Sequence, residues 1–146
     1  MRKFMLAILM VLVVVSSSVY AAESVTQSLQ AGGQIQVLQM VWVTDSSGNL
    51  TATATGYPVE GFLMAVETVP SATAAPTTLY DVVLNNAQGL DMMGGALGDR
   101  SATAAEMTLP LLNGIYTMLP EPGLLTLDVT NAGNSKSGTV RIYFVR

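Results

Sequence analysis

The residue types that most often carry chemistry in proteins are scarce in this sequence. It contains no histidine and no cysteine, which excludes catalytic triads built on histidine, zinc sites with histidine or cysteine ligands, and thiol redox chemistry. Gly94-Gly95 does not follow a strand pattern and open a helix, as a phosphate-binding loop does. The composition therefore favours a protein without catalytic activity and without a bound cofactor.

Carboxylates are the remaining candidates for chemistry. Asp81, Asp91 and Asp99 lie near turn-forming residues, and paired carboxylates can hydrolyse glycosides. No aromatic residues cluster beside them to hold a sugar, so we expect solvated acids that stabilise turns. The weak calcium candidates are Asp91 and Asp99, because they flank a glycine-rich loop of the kind that offers oxygen ligands. The regular ligand spacing of a calcium loop is absent, and no metal is predicted.

The segment Gly94–Pro110 breaks the alternating pattern that dominates the rest of the chain. Within it, we expect Arg100 to pin the loop by pairing with a carboxylate; contact with a partner is the alternative. Thr103–Glu106 fits a capping box and predicts one or two helical turns.

The N-terminus has the pattern of a secretory signal peptide. Arg2 and Lys3 precede an unbroken apolar run, Phe4–Val15, and small residues end at Ala21. We predict a signal peptide over residues 1–21 with cleavage after Ala21; a retained membrane anchor is the alternative, although the run is shorter than a bilayer span. The mature chain then carries four basic and ten acidic residues. We expect an exported (periplasmic or extracellular) or virion protein that avoids nucleic acid and, once mature, membranes.

The C-terminal stretch Leu124–Val145 consists of two alternating apolar runs around a cluster of turn formers. This pattern predicts a β-hairpin. Register is constrained because a slip of one residue would expose one apolar set. The predicted register places Leu127 beside Ile142 and Asp128 beside Arg141.

A second hairpin is predicted near the start of the mature chain. Residues 22–33 are expected to form a flexible arm, with a weak first strand as the alternative. Strands at Gln34–Thr44 and Leu50–Thr55 then pair across the turn between them, with Trp42 beside Ala52.

Further strands are predicted at Gly61–Val69, where Phe62, Met64 and Val66 point inward, and at Tyr80–Asn85. With about eight short strands, residues 34–146 are predicted to fold as one all-β antiparallel β-sandwich, jelly-roll-like or immunoglobulin-like. The predicted core contains Trp42, Phe62, Val82, Leu127, Ile142 and Phe144.

One uncharged face of the second hairpin is the predicted interface. It is rich in β-branched residues and consists of Val41, Val43, Thr51, Thr53 and Thr55. Such a face can accept a partner sheet or another copy of the chain. The alternative is that it forms the second side of a buried strand.

Three segments resemble small phage-encoded proteins found among virion structural genes. They are GFLMAVETVPSATAAPTTLYDVVLN (Gly61–Asn85), DMMGGALGDRSATAAE (Asp91–Glu106) and GLLTLDVTNAGNSKSGTVRIYF (Gly123–Phe144). The resemblance implies a compact β-sandwich that works by assembly, as a capsid-decorating or tail-associated component, and it implies no catalytic residues. The signal peptide departs from this pattern, because virion parts normally assemble in the cytoplasm.

Two functions follow as expectations. The first is a non-enzymatic structural or interaction protein that self-associates or binds a virion or cell-surface scaffold. The second is an exported module that binds sugar or calcium through Gly94–Pro110. A carboxylate-dependent hydrolase is a distant third.

Overall fold

The computed structural model describes residues 22–146, and the predicted signal peptide lies outside this range. The strands are β1 (Ser24–Gln30), β2 (Ile35–Val43), β3 (Leu50–Ala54), β4 (Val59–Pro70), β5 (Asp81–Asn85), β6 (Glu106–Thr108), β7 (Leu111–Leu112), β8 (Ile115–Tyr116), β9 (Leu119–Gly123), β10 (Thr126–Thr130) and β11 (Ser137–Val145). All pairings are antiparallel. The all-β prediction is confirmed, and no helix long and apolar enough to cross a bilayer occurs between residues 22 and 146.

Two main sheets share one hydrophobic core. The larger sheet has the order β1-β2-β11-β4-β6, and β9 pairs with the N-terminal part of β4. The smaller sheet has the order β3-β10-β5. Alternate residues of β2, β4 and β11 bury their side chains together with those of β3, β5 and β10. Trp42 of β2 packs on Tyr80, with ring centroids 5.7 Å apart. The strand period of two therefore gives each main sheet one apolar inner face.

The predicted C-terminal hairpin is wrong, because β10 and β11 belong to different sheets. Leu127 pairs with Leu84 in the small sheet, whereas Ile142 pairs with Leu38 in the large one. Asp128 correspondingly lies opposite Val83 and not opposite Arg141. The residues between the strands cross from one sheet to the other. Both strands still contribute to the same core. Strands in two facing sheets need the same alternation of apolar and polar residues as two neighbouring strands in one sheet.

The predicted pairing of β2 with β3 is wrong for the same reason, since β3 lies in the small sheet and, within residues 22–146, pairs only with β10. The loop between β2 and β3 packs directly on the loop between β10 and β11. Ala132 N donates to Gly48 O at 3.0 Å, and Thr44 Oγ1 donates to Gly133 O at 2.7 Å. A Cβ on Gly48, whose φ is +85°, would lie 2.8 Å from the nitrogen of Gly133. The two loops thus form one close-packed corner at which both chain segments change sheets.

Phe62, predicted to lie in the core, is 47% exposed, while its neighbour Leu63 is fully buried. The register between β4 and β11 shifts between Tyr143 and Phe144, which leaves Met64 as an extra residue on β4. A β-bulge of this kind reverses the side-chain alternation beyond it. The other five predicted core residues are buried.

The stretch 22–33, expected to be a flexible arm, instead contains β1, so the alternative of a first strand is correct. It pairs with β2 over its full length, from Ser24 opposite Val43 to Gln30 opposite Val37, without a register shift. Val25 and Leu29 pack against the core. β1 has no charged residue, and only its inner side is apolar. This composition is typical of a solvated arm, but it also fits an edge strand with one buried side.

Candidate interaction surface

Two of the acidic residues considered for catalysis or calcium, Asp81 and Asp91, accept hydrogen bonds that hold the surrounding loops. Asp91 accepts hydrogen bonds from Met93 N at 2.9 Å and Gly95 N at 2.6 Å. Asp81 accepts hydrogen bonds from Asp99 N at 3.0 Å and from the amide of Asn131 at 2.8 Å. Within residues 22–146, no group of three acidic, histidine or cysteine side chains is placed to hold a metal ion. Asp91 therefore stabilises a local turn, and Asp81 ties together segments that are distant in the sequence.

Arg100 pins the loop that precedes β6, as predicted. Its guanidinium donates twice to Gly98 O, at 2.9 and 2.7 Å, and once to Thr108 Oγ1 at 3.1 Å. Glu106 lies 3.8 Å away and also accepts a hydrogen bond from Ser101 N at 2.7 Å. These contacts replace the predicted helical turns, because Glu106 closes a turn at Ser101 and caps no helix. The loop is therefore firmly anchored where it joins the large sheet.

An apolar hairpin leaves the edge of the large sheet directly after this anchor. β6 pairs with the C-terminal part of β4, and β9 pairs with its N-terminal part. Between them, β7 and β8 form a two-stranded hairpin whose turn residues, Asn113 and Gly114, have φ values of +49° and +81°. Positive φ at both central residues is the geometry that favours Asn-Gly in tight hairpin turns. Neither main sheet includes β7 or β8.

Large apolar side chains on and beside this hairpin face solvent. We name this set the apolar hairpin patch: Met107 (63% exposed), Leu109 (49%), Leu112 (47%), Ile115 (70%), Tyr116 (62%) and Met118 (52%). The stretch from Met107 to Leu119 contains no charged residue. Leu112 pairs with Ile115 on one side of the hairpin, whereas Tyr116 pairs with Leu111 on the other side. Several exposed large apolar side chains concentrated in one short segment mark an interaction site more often than isolated exposed residues do.

A depression of about 340 Å³ lies at the base of the hairpin. Its lining residues are Ala96, Arg100, Met107, Thr108, Leu109 and Tyr116. The aromatic ring of Tyr116 and the aliphatic residues give it an apolar wall, and Arg100 and Thr108 contribute polar groups that already bond to each other. The depression thus lies directly beside the patch.

The five residues of the predicted interface do not share one face. Val41 and Val43 lie on the outer side of the large sheet, whereas Thr51 and Thr53 belong to the small sheet. Thr55 is buried and accepts a hydrogen bond from Leu125 N at 3.0 Å. The set depended on pairing β2 with β3, which does not occur. An interface role for the separate residues stays a prediction.

The outer side of the large sheet carries a polar cluster instead of a uniform apolar face. Arg141 donates to Gln39 and to Glu67, each at 3.0 Å, and the Tyr143 hydroxyl donates to Glu67 at 2.9 Å. The hydrogen bond from Arg141 lowers the pKa of Glu67. Burial, together with the hydrogen bond to Glu67, raises the pKa of the Tyr143 hydroxyl. This internally satisfied cluster makes the outer face less suited to an apolar partner than the hairpin patch.

Sequence reasoning missed the apolar hairpin patch, although a signal was present. Asn113-Gly114 lies between Leu111-Leu112 and Ile115-Tyr116, and an Asn-Gly pair flanked by apolar residues is a strong hairpin signal. Comparison of the chain with protein-family models, with curated proteins and with solved structures gives no match.

Proposed function

We propose that this protein is a non-enzymatic structural protein that assembles on a protein partner through the apolar hairpin patch. The observation that carries the proposal is the concentration of six exposed large apolar side chains between Met107 and Met118. Burying one Leu or Ile side chain completely contributes about 1.5–3 kcal/mol. A partner that covers the patch would therefore gain several such contributions, which the isolated chain does not use.

The rest of the domain supports this use of the hairpin. We infer that the two main sheets form a β-sandwich of the jelly-roll or immunoglobulin type, which would act as a rigid base. The loop that leads into the hairpin is fixed by Arg100 and Glu106. An apolar surface held on a rigid base loses less conformational entropy on binding than a flexible segment does.

The partner is proposed to be a protein on a virion or at a cell exterior. The resemblance to phage-encoded virion proteins supports the first setting, and the predicted signal peptide supports the second. The described residues carry ten acidic and four basic side chains, which disfavours nucleic acid and anionic lipid as partners. Capsid decoration and tail association are both compatible with an apolar docking hairpin.

The proposal can be tested with a double substitution in the patch. Leu112→Ser with Ile115→Ser should leave the circular dichroism spectrum unchanged and release the protein from the assembled structure. The matched control is Ile35→Ser with Leu90→Ser, since these residues are 56% and 59% exposed but lie elsewhere. Quantitative mass spectrometry of purified particles and of culture medium measures the fraction retained.

Site-specific photo-crosslinking identifies the contact directly. A benzophenone amino acid at Tyr116 should give a single product of fixed stoichiometry that the double substitution abolishes. The same probe at Tyr57, which is 40% exposed and outside the patch, serves as the control. Equal crosslinking from both positions, or full retention of the double variant in particles, would contradict the proposed role of the hairpin.

A ligand-binding module is the second candidate function, and the depression beside Tyr116 is the observation that favours it. Its volume of about 340 Å³ lies at the lower end of the range of small-molecule sites. Titration calorimetry with a panel of mono- and disaccharides, and with calcium, tests this function. Saturable binding that Tyr116→Ala removes would support a sugar site and displace protein docking as the leading proposal.

A further inference from the structure

Four edges terminate the two main sheets formed by residues 22–146, and three of them are protected. The far edge of the large sheet ends in the three-residue strand β6 and in β9, which contains Pro120 and Pro122. Short strands and prolines both prevent another strand from adding to an edge. The β5 edge of the small sheet is covered by the loop that follows it, since Val82 N donates to Leu97 O at 3.0 Å.

The β3 edge is protected by two side chains, those of Gln27 in β1 and of Glu23, which immediately precedes β1. Gln27 accepts from Gly56 N at 2.5 Å and donates to Ala54 O at 3.0 Å, while Glu23 accepts from Thr51 N at 2.5 Å. These bonds occupy backbone groups that a further strand would otherwise use.

The fourth edge, β1, has none of these protections among the described residues. Its seven residues, SVTQSLQ, include no charge and no proline, and its register with β2 contains no bulge. No backbone partner other than β2 pairs with it within residues 22–146. An edge strand that is regular, uncharged and unprotected is a template for strand addition.

We propose that β1 pairs antiparallel with β1 of a second copy of this chain, so that the two large sheets become one continuous sheet. A twofold axis at Gln27 pairs all seven residues. It places Val25 opposite Leu29 on the inner side and Thr26 opposite Ser28 on the outer side, because partners in an antiparallel pair share a face. The half-buried apolar residues thus meet each other, and no charges face each other within the paired strands.

The pairing closes on itself as a dimer. Addition of β1 to the opposite edge of another copy would extend into a filament, and the prolines of β9 prevent that arrangement. This inference concerns a surface separate from the apolar hairpin patch, and it does not depend on the function proposed for that patch.

Charges introduced into β1 test the pairing and its register. Protein produced from the full chain should show twice the chain mass in size-exclusion chromatography with light scattering. Thr26→Lys with Ser28→Lys places like charges opposite each other twice, and it should raise the dimer Kd about tenfold or more. Thr26→Glu with Ser28→Glu should do the same, and an equimolar mixture of the two variants should restore the dimer.

Two control variants separate this surface from other effects. Ala87→Lys with Gln88→Lys adds the same charge at an exposed turn and should leave the dimer intact. Leu112→Ser with Ile115→Ser should also leave it intact, so that loss of partner docking and loss of the dimer are distinguishable.

Cysteine crosslinking provides a second measurement, and the chain has no cysteine of its own. A mixture of Thr26→Cys and Ser28→Cys chains should form a disulfide between the two variants, because directly paired residues lie within disulfide range. Each variant alone should crosslink little. A monomer at all concentrations, a dimer that survives the lysine variant, or equal crosslinking in the single-variant samples would overturn the proposal.

Discussion

The core between the two main sheets and the apolar hairpin patch use the same residue types but bury them differently. Leu127 and Ile142 are fully buried, whereas Ile115 is 70% and Leu112 is 47% exposed. The core strands have a second sheet facing them, while the two-residue strands β7 and β8 have neither sheet as a partner. Apolar residues stabilise this domain where the facing sheet, or a loop packed on it, removes them from water. In the hairpin the same residue types remain exposed to solvent.

The largest effect is expected from a cavity in the core. Leu127→Ala should lower the free energy of unfolding by about 2–5 kcal/mol, because a fully buried leucine loses its packing and leaves a void. Leu124→Ala is the control, since Leu124 is 46% exposed three positions earlier. Urea denaturation followed by fluorescence of Trp42 measures both changes. Equal losses would mean that burial does not distinguish the two leucines.

The second effect tests the corner where the two crossing loops meet. Gly48→Ala and Gly89→Ala both place a side chain at positive φ, at +85° and +78°, but only the first meets neighbouring atoms within 4 Å. The shared strain is about 1–2 kcal/mol. Gly48→Ala should cost about 1–3 kcal/mol more, as overpacking does. Thermal unfolding of both variants gives the difference, and equal losses would show that the loops separate freely.

A smaller effect is expected from the polar cluster on the outer side of the large sheet. Since the folded pKa of Glu67 is lowered, its stabilising contribution is present above the unfolded pKa and disappears as the pH falls through the folded value. Glu67→Gln should therefore cost about 0.2–1 kcal/mol at pH 7 and less below pH ~4. Glu60→Gln, whose ion pair with Arg146 is mostly exposed, is the control. A cost for Glu67→Gln that is independent of pH would exclude an ionic contribution.

The smallest effect on stability is expected in the hairpin patch. Ile115→Ser should change the free energy of unfolding by no more than about 0.5 kcal/mol, as exposed substitutions usually do. The same substitution should weaken partner docking, which links exposure to function. Urea denaturation measures the first quantity. A loss above 2 kcal/mol would place Ile115 in a folded core and remove the contrast between the two regions.

The positions of the six strands β2, β3, β4, β5, β10 and β11 and most of the core were predictable from the sequence, whereas the pairing of the strands was not. Alternation of apolar residues identifies an inner face for Val82, Leu127 and Ile142. It does not say whether the next strand lies beside them or across the core, because both arrangements have the same period. Phe62 was misplaced because a bulge at Met64 depends on contacts with β11 and has no local signature.

The candidate site was only partly predictable. The lack of histidine and cysteine excluded whole classes of chemistry. The pairing of Arg100 with a carboxylate was predictable because residues 22–146 contain only four basic residues and ten acidic ones. The exposure of Ile115 and Tyr116 could not be predicted from residue type, because apolar residues normally indicate a core. Only the tertiary structure shows that β6 and β9 share one edge of β4 and leave the hairpin outside.

The central position of β11 in the large sheet has a consequence for folding kinetics. Its pairs with β2, such as Val145 with Ile35, join residues about a hundred positions apart. Closing so long a loop carries an entropic cost before the contacts compensate for it, so domains dominated by such contacts fold slowly. Until β11 arrives, β2 and β4 each lack a neighbour at the centre of the sheet. While β11 is unpaired, the edges of β2 and β4 are open, and unpaired strand edges favour chaperone binding or aggregation.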